Sequence, residues 1–200
     1  MLPISKIQAG AACRWLKGCW GAELRAAAFG PFTVDHLCAI ACQETAYFWL
    51  PLINKLTPAE ILARCVLDAS GDYPGTVRSA FPKNTTVFRA QFGEDFASIL
   101  IGEANKTRAL RGMGPKPWIY KGYGIFQYDL QFVMEDESFF RLRQWHDFRQ
   151  SLARCIKELR RTYAAHGDVS EAIRAYNGSG PAARQYRDNV LVYAAISAGV

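Results

Sequence analysis

The segment Leu37-Cys38-Ala39-Ile40-Ala41-Cys42-Gln43-Glu44-Thr45-Ala46-Tyr47-Phe48 is apolar at nearly every position, with one carboxylate set into it. It reads as a buried helix. At helical spacing the neighbours of Glu44 are Leu37, Ile40, Ala41, Tyr47 and Phe48, so its side chain falls inside the apolar stripe. Thr33 can cap this helix, Asp35 suits its positively polarised first turn, and Pro51 limits its far end. Thr57-Pro58-Ala59-Glu60 is a capping box with proline at the first helical position. The stripe Ile61, Leu62, Cys65, Val66 and Ala69 behind it predicts a helix over 58–69, ended by a turn at 70–75. Phe88, Phe92, Phe96, Ile99 and Leu100 predict another over roughly 86–104.

Arg111-Gly112-Met113-Gly114-Pro115-Lys116-Pro117 cannot be regular structure, and 118–137 reads as loop with a short strand pair. From Ser138, the positions Phe139, Leu142, Trp145, Phe148, Leu152, Ile156, Leu159 and Tyr163 predict one long helix. Arg141, Arg143, Arg149, Arg154, Lys157, Arg160 and Arg161 lie on its other face. A short helix over 168–176 and a last one carrying Tyr186, Val190 and Tyr193 complete the pattern. The expected fold is mostly α with at most a small β element, in one domain over residues 1–200. No repeat or linker divides the chain.

Composition narrows the classes. Half of the 200 residues are hydrophobic and 21% are charged, which suits a globular chain rather than a disordered one. A formal charge of +6 favours an anionic partner: nucleic acid, a membrane surface or an acidic cell-wall polymer. No run approaches the roughly 20 apolar residues of a membrane span, and no secretory signal is visible at the start. Six cysteines (Cys13, Cys19, Cys38, Cys42, Cys65 and Cys155) form no CxxC pair, and three scattered histidines make a structural zinc site unexpected. Cys38 and Cys42 share a helix face, where they fit better as small hydrophobes than as a cross-link. No metal or cofactor is expected.

Three segments carry the candidate chemistry. An ionised Glu44 among apolar neighbours costs several kcal/mol unless paired, so the group is expected to raise its pKa and keep its proton. A carboxylic acid held protonated near neutral pH is what a general acid needs. Other carboxylates read as structural: Glu60 as a capping residue, Asp72 in a turn, Glu94 and Glu103 on a solvated face. The second segment is Lys121-Gly122-Tyr123-Gly124-Ile125-Phe126-Gln127-Tyr128-Asp129. Its glycines let backbone approach a ligand, Gln127 can donate and accept hydrogen bonds, and Asp129 offers another carboxylate. The third is Ala175-Tyr176-Asn177-Gly178-Ser179-Gly180, a helix end with an Asn-Gly stop.

In this order the three segments resemble the goose-type lysozyme and soluble lytic transglycosylase superfamily. That family shows a helical Glu followed by Ser, a Gly-Leu-Met-Gln-like turn, and Ala-Tyr-Asn-Ala-Gly. The resemblance implies a lysozyme-like helical fold that cleaves the β-1,4 bond between N-acetylmuramic acid and N-acetylglucosamine in peptidoglycan. By position it makes Glu44 the catalytic acid and has Asp129 position water. It puts Thr45, Tyr123, Gly124, Ile125, Phe126 and Gln127 along the sugar cleft, Tyr176 near the Glu44 carboxyl, and Asn177 in the adjacent wall. The chain departs from the pattern in having Thr45 for serine, Phe126 for methionine, and Gly178-Ser179-Gly180 after Tyr176-Asn177. It also carries a long helical insertion, about 52–117.

The resemblance implies two fates for the cleaved bond. Water held by Asp129 gives hydrolysis, and attack by the sugar's own 6-hydroxyl gives an anhydro product; Asp129 tilts the expectation toward hydrolysis. Chitin, which has the same linkage, is the alternative substrate, and a catalytically inactive wall-binding module is the alternative activity. The arginine face of 141–161 lacks a recognition-helix motif, so nucleic acid is not the expected partner. The expected partners are peptidoglycan or a related N-acetylated glycan, with room for an immunity or inhibitor protein. A phage lysin or an exported effector acting on the wall would fit.

Overall fold

Nine α-helices and one short three-stranded sheet make up the computed structural model, which describes residues 1–200. The chain is mostly helical with a small sheet, as its patterning predicts. It divides into two compact units: residues 1–58 with 151–200, and residues 59–150.

The first unit holds α1 (Lys6–Ala27), α2 (Val34–Trp49), all but the first turn of α7 (Phe148–His166), α8 (Val169–Asn177) and α9 (Gly180–Ala198). Helix α2 packs against both α1 and α9, and α8 packs against α9. That position between two helices buries α2 from Leu37 to Cys42 without a break. The patterning did not mark α1, because its buried face is made mostly of small residues: Ala9, Gly10, Ala12, Cys13 and Gly21 beside Leu16 and Leu24. A capping box starts it, with Ser5 Oγ accepting from the Gln8 amide at 3.2 Å and Gln8 Oε1 accepting from the Ser5 amide at 2.9 Å. The helix breaks step at Trp20, whose φ is −138°. Tyr193 of α9 ties down the segment before α1, its hydroxyl accepting from the Ile4 amide at 3.0 Å and donating to the Ile4 carbonyl at 2.9 Å. All six cysteines are free thiols; Cys13 and Cys42 bring their sulfurs to 3.7 Å between α1 and α2.

The second unit contains most of α3 (Pro58–Arg64), then β1 (Val66–Leu67), α4 (Thr85–Phe92), α5 (Glu94–Leu110), β2 (Gly122–Tyr123), β3 (Tyr128–Asp129) and α6 (Glu137–Arg141). The sheet is antiparallel in the order β1-β2-β3, with Val66 opposite Tyr123 and Tyr123 opposite Tyr128. Three predicted helices are shorter or divided. The stripe over 58–69 leaves the helix after Arg64, and Val66 and Leu67 enter β1, where both side chains are buried. The 86–104 helix is two, because Gly93 at φ +84° ends α4 and opens α5. The helix expected from Ser138 breaks at Arg143, whose φ of +56° is left-handed, and a short 3₁₀ turn at Gln144–His146 intervenes. Leu142, assigned to its apolar stripe, is therefore exposed.

The core of this unit is aromatic: Phe88, Phe96, Tyr123, Tyr128, Phe139, Phe140 and Trp145 join one buried cluster. Beside it lies Glu103, which is buried rather than on the expected solvated face. Arg64 and Lys106 each donate to its carboxylate at 2.8 Å, and Arg143 and His146 stand at 3.5 and 3.7 Å. Burial opposes its ionisation, yet nearby His146 and the bonds from Lys106 and Arg64 outweigh it and hold the pKa well below the usual carboxylate range. Asp72 does sit in its turn, where it also pairs with buried Lys121 and accepts from the Thr85 amide and hydroxyl.

Candidate functional site

The first and third candidate segments lie in the first unit, and the glycine turn lies in the second. Around Glu44 the first unit gathers side chains from four helices. Tyr186 of α9 donates its hydroxyl to Glu44 Oε1 at 2.6 Å. The ring of Tyr176, at the end of α8, stacks on Tyr186 with centroids 6.3 Å apart and planes 24° from parallel. The Cys155 thiol of α7 is hydrogen-bonded to Tyr176. No arginine or lysine pairs with Glu44. Burial therefore governs it, pushing its pKa from 4.5 up to about 7, while the bond from Tyr186 pulls weakly the other way. Burial pushes both phenols well above their ordinary range, with the Glu44 charge adding to the effect, so they remain donors at any working pH.

Between Leu37 and Trp49, α2 is buried everywhere except at Gln43, Glu44 and Tyr47. Those three residues form the opening to solvent beyond its first turn, and Tyr47 is 46% exposed. Gln43 Oε1 is buried there without a hydrogen-bond partner. The chemistry this permits is specific: a carboxylic acid held by a phenol stands where the later part of its helix meets water. Such a group can donate a proton.

The other expected site residues are placed differently. Thr45 is fully buried; its hydroxyl accepts from Trp49 Nε1 at 3.0 Å and donates back to the Ala41 carbonyl at 3.3 Å. Those bonds brace the helix. Tyr176 lies beside Glu44, as the resemblance implied, but the hydrogen bond to the acid comes from Tyr186. Asn177 is exposed at the end of α8, and Gly178 at φ +125° turns the chain away.

In the second unit Tyr123, Ile125 and Phe126 are buried, Tyr123 within the aromatic core against Phe140 and Trp145. Gly124 takes φ +79° and Gln127 φ +51°, which folds the turn between β2 and β3. Gln127 Nε2 donates to the Gly124 carbonyl at 2.8 Å and to the Cys65 carbonyl at 3.3 Å. Its Oε1 lies so near Gly122 that any Cβ there would collide with it. The amide is a brace for the sheet. Asp129 Oδ1 accepts from the Gln131 amide at 2.7 Å, capping a 3₁₀ turn, and pairs with the Arg78 guanidinium. That carboxylate is already committed to two partners.

Tyr186, Gln43 and Tyr47 were not singled out from the sequence. Tyr186 falls in phase with Val190 and Tyr193 on a stripe that reads as core. A buried tyrosine hydroxyl requires a partner, but the sequence does not name it. No group of three or more His, Cys, Asp or Glu is arranged to hold a metal ion, and no helix is long and apolar enough to cross a membrane. No protein-family model matches the chain, and no curated protein or solved structure does either.

Proposed function

We propose that the chain is a glycosidase of the lysozyme and lytic transglycosylase kind, cleaving the β-1,4 bond of peptidoglycan with Glu44 as general acid. One observation carries the reading: Glu44 sits in an apolar helix without a cation, keeps its proton to about pH 7, and stands where that helix opens to solvent. Glycoside cleavage through an oxocarbenium-like state needs such a proton at the leaving oxygen. Tyr186 fixes the carboxyl by donating to one oxygen, which leaves the other to carry the proton toward the bond. The net charge of +6, most of it in the first unit, favours an anionic wall polymer.

Asp129, in the second unit, is the carboxylate that the resemblance assigns to holding water. Its Oδ1 is already held by the Arg78 guanidinium and the Gln131 amide. That pairing favours attack by the sugar's own 6-hydroxyl, giving an anhydro end, over hydrolysis by a water that Asp129 activates. The test is purified protein on isolated cell walls, followed by turbidity and by mass spectrometry in ¹⁸O-labelled water. Clearing that Glu44→Gln abolishes, with anhydro ends free of ¹⁸O, is the expected result. Labelled reducing ends would restore the hydrolytic branch, and binding without clearing in both proteins would mark a wall-binding module instead.

A further inference from the structure

Glu103 is outnumbered. Arg64 and Lys106 each bond to one of its oxygens, Arg143 stands at 3.5 Å and His146 at 3.7 Å, and no other carboxylate pairs with any of the four. Three cations against one carboxylate leave an excess of two positive charges before His146 is counted. A structural ion pair needs only one cation, and each further one gathered there repels the first. Two donors of the cluster are also idle. Arg64 gives Nη2 to Glu103 Oε2, but its Nη1 is out of water with no acceptor, and the same holds for His146 Nε2. Arg64 and His146 flank the same oxygen, Oε2, so the two idle groups are neighbours. A ring nitrogen that faces a carboxylate oxygen carries the proton. Buried donors of this kind cost free energy until an acceptor arrives. The backbone assembles the group from three segments: Arg64 ends α3, Glu103 and Lys106 share a face of α5, and the left-handed φ of Arg143 opens the 3₁₀ turn that holds His146.

We propose that this cluster binds a phosphate dianion, held between the Arg64 and Arg143 guanidinium groups with His146 Nε2 and the Lys106 ammonium as further donors. Two negative charges cancel the excess, which a single carboxylate would only halve. A tetrahedral oxyanion also presents several acceptor oxygens at once, which suits the planar fork of arginine. Lys106 and Arg143 form the outer rim, each with about half of its side chain in solvent, and rotation of these long side chains opens the way to the buried donors. Glu103 is the counter-charge that lets the cations assemble before the anion arrives. The recognised group is the same whether the phosphate is free or ends a monoester. All five residues lie in the second unit, so the proposal is independent of the glycosidase reading.

The experiment titrates the full chain calorimetrically with inorganic phosphate, and separately with glycerol 3-phosphate, at constant ionic strength and pH 8, where both are mostly dianions. One saturable site is expected. Arg143→Gly removes a guanidinium while accepting the left-handed φ, so the fold is kept, and it should weaken binding roughly tenfold. Arg64→Lys keeps a cation beside Glu103 but lacks the second fork nitrogen, and should weaken binding roughly 3–10-fold. Lys116→Ala, at an exposed lysine of the same unit outside the cluster, should leave the affinity within about twofold. Phosphate should also raise the melting transition of the second unit in the parent and much less in Arg143→Gly. Tighter binding of glycerol 3-phosphate than of inorganic phosphate would identify a monoester as the ligand, and equal or weaker binding would identify free phosphate; both support the site. No saturable binding below about 10 mM phosphate overturns the proposal, as does phosphate that binds Arg143→Gly and Arg64→Lys as well as it binds the parent.

Discussion

Replacing Glu44 with glutamine tests the burial argument without any substrate. Gln keeps the shape of the side chain and an oxygen for Tyr186 to donate to, and removes only the ionisation. The unfolded chain releases this proton near pH 4.5, whereas the folded protein holds it to about pH 7. A raised carboxyl pKa means that its contribution is fully present below pH 4.5 and is lost as pH rises from 4.5 through 7. The displacement is two to three pH units, and at about 1.4 kcal/mol per unit it is worth about 3 kcal/mol. The variant should therefore gain on the wild type steadily across that window, to a plateau of about 3 kcal/mol above pH 8. For a chain of this length that corresponds to a Tm difference of roughly 6–12 °C. Tyr186, Tyr176 and Cys155 around the carboxyl are all pushed upward, so none titrates between pH 4 and 8 to obscure the effect. Thermal melts of both proteins from pH 4 to 9, followed in the transition of the first unit, supply the curve. A difference that is flat with pH, or that shrinks as pH rises, would refute the reasoning and with it the protonated acid.

Three other outcomes follow from the same structure. Tyr186→Phe removes the bond that favours the charged form of Glu44, so the alkaline limb of the pH–activity profile should move up by roughly one unit. The less constrained acid should also lower kcat by roughly tenfold. Glu103→Gln leaves Arg64 and its companion cations around an uncharged side chain, which should destabilise the second unit by about 3 kcal/mol at pH 7 in chemical denaturation. Because the Glu103 pKa is depressed, the wild type should lose this advantage as pH falls below 4.5, and the two acid-unfolding curves should converge there. Gly122→Ala sets a Cβ against the Gln127 amide and should cost the same unit about 1–3 kcal/mol, seen as a lowered denaturation midpoint with Glu44 chemistry unaltered.

The helical class, and Glu44 as an acid in apolar surroundings, were legible because both depend on periodicity within a single segment. Tyr176 could be placed near the acid only through the resemblance. Tyr186 and Glu103 were not legible, for opposite reasons. Tyr186 looks like core from its own helix and acquires its role from α2, a partner 142 positions away in the chain. Glu103 looks solvated on α5 because a carboxylate amid polar neighbours usually is, and only the approach of Arg64, Arg143 and His146 from other segments makes its burial tolerable. The breaks at Gly93 and Arg143 are of another kind. Hydrophobic spacing continues across both, so a pattern that counts apolar positions passes over a backbone that has changed hand. Asp129 and Gln127 carry the lesson furthest: residue types suited to binding sugar are equally suited to holding a tight turn, and here both have protein partners.

On the proposed glycosidase reading, the isolation of Glu44 also bears on turnover. Once the acid has given up its proton, one phenol is all that steadies the resulting anion, and no counter-ion rewards the protein for keeping it. On the proposed route to an anhydro end, the spent acid is recharged by the proton that the attacking 6-hydroxyl releases. A carboxylate clasped by arginine would be slow to recharge; this one is primed again by its own discomfort.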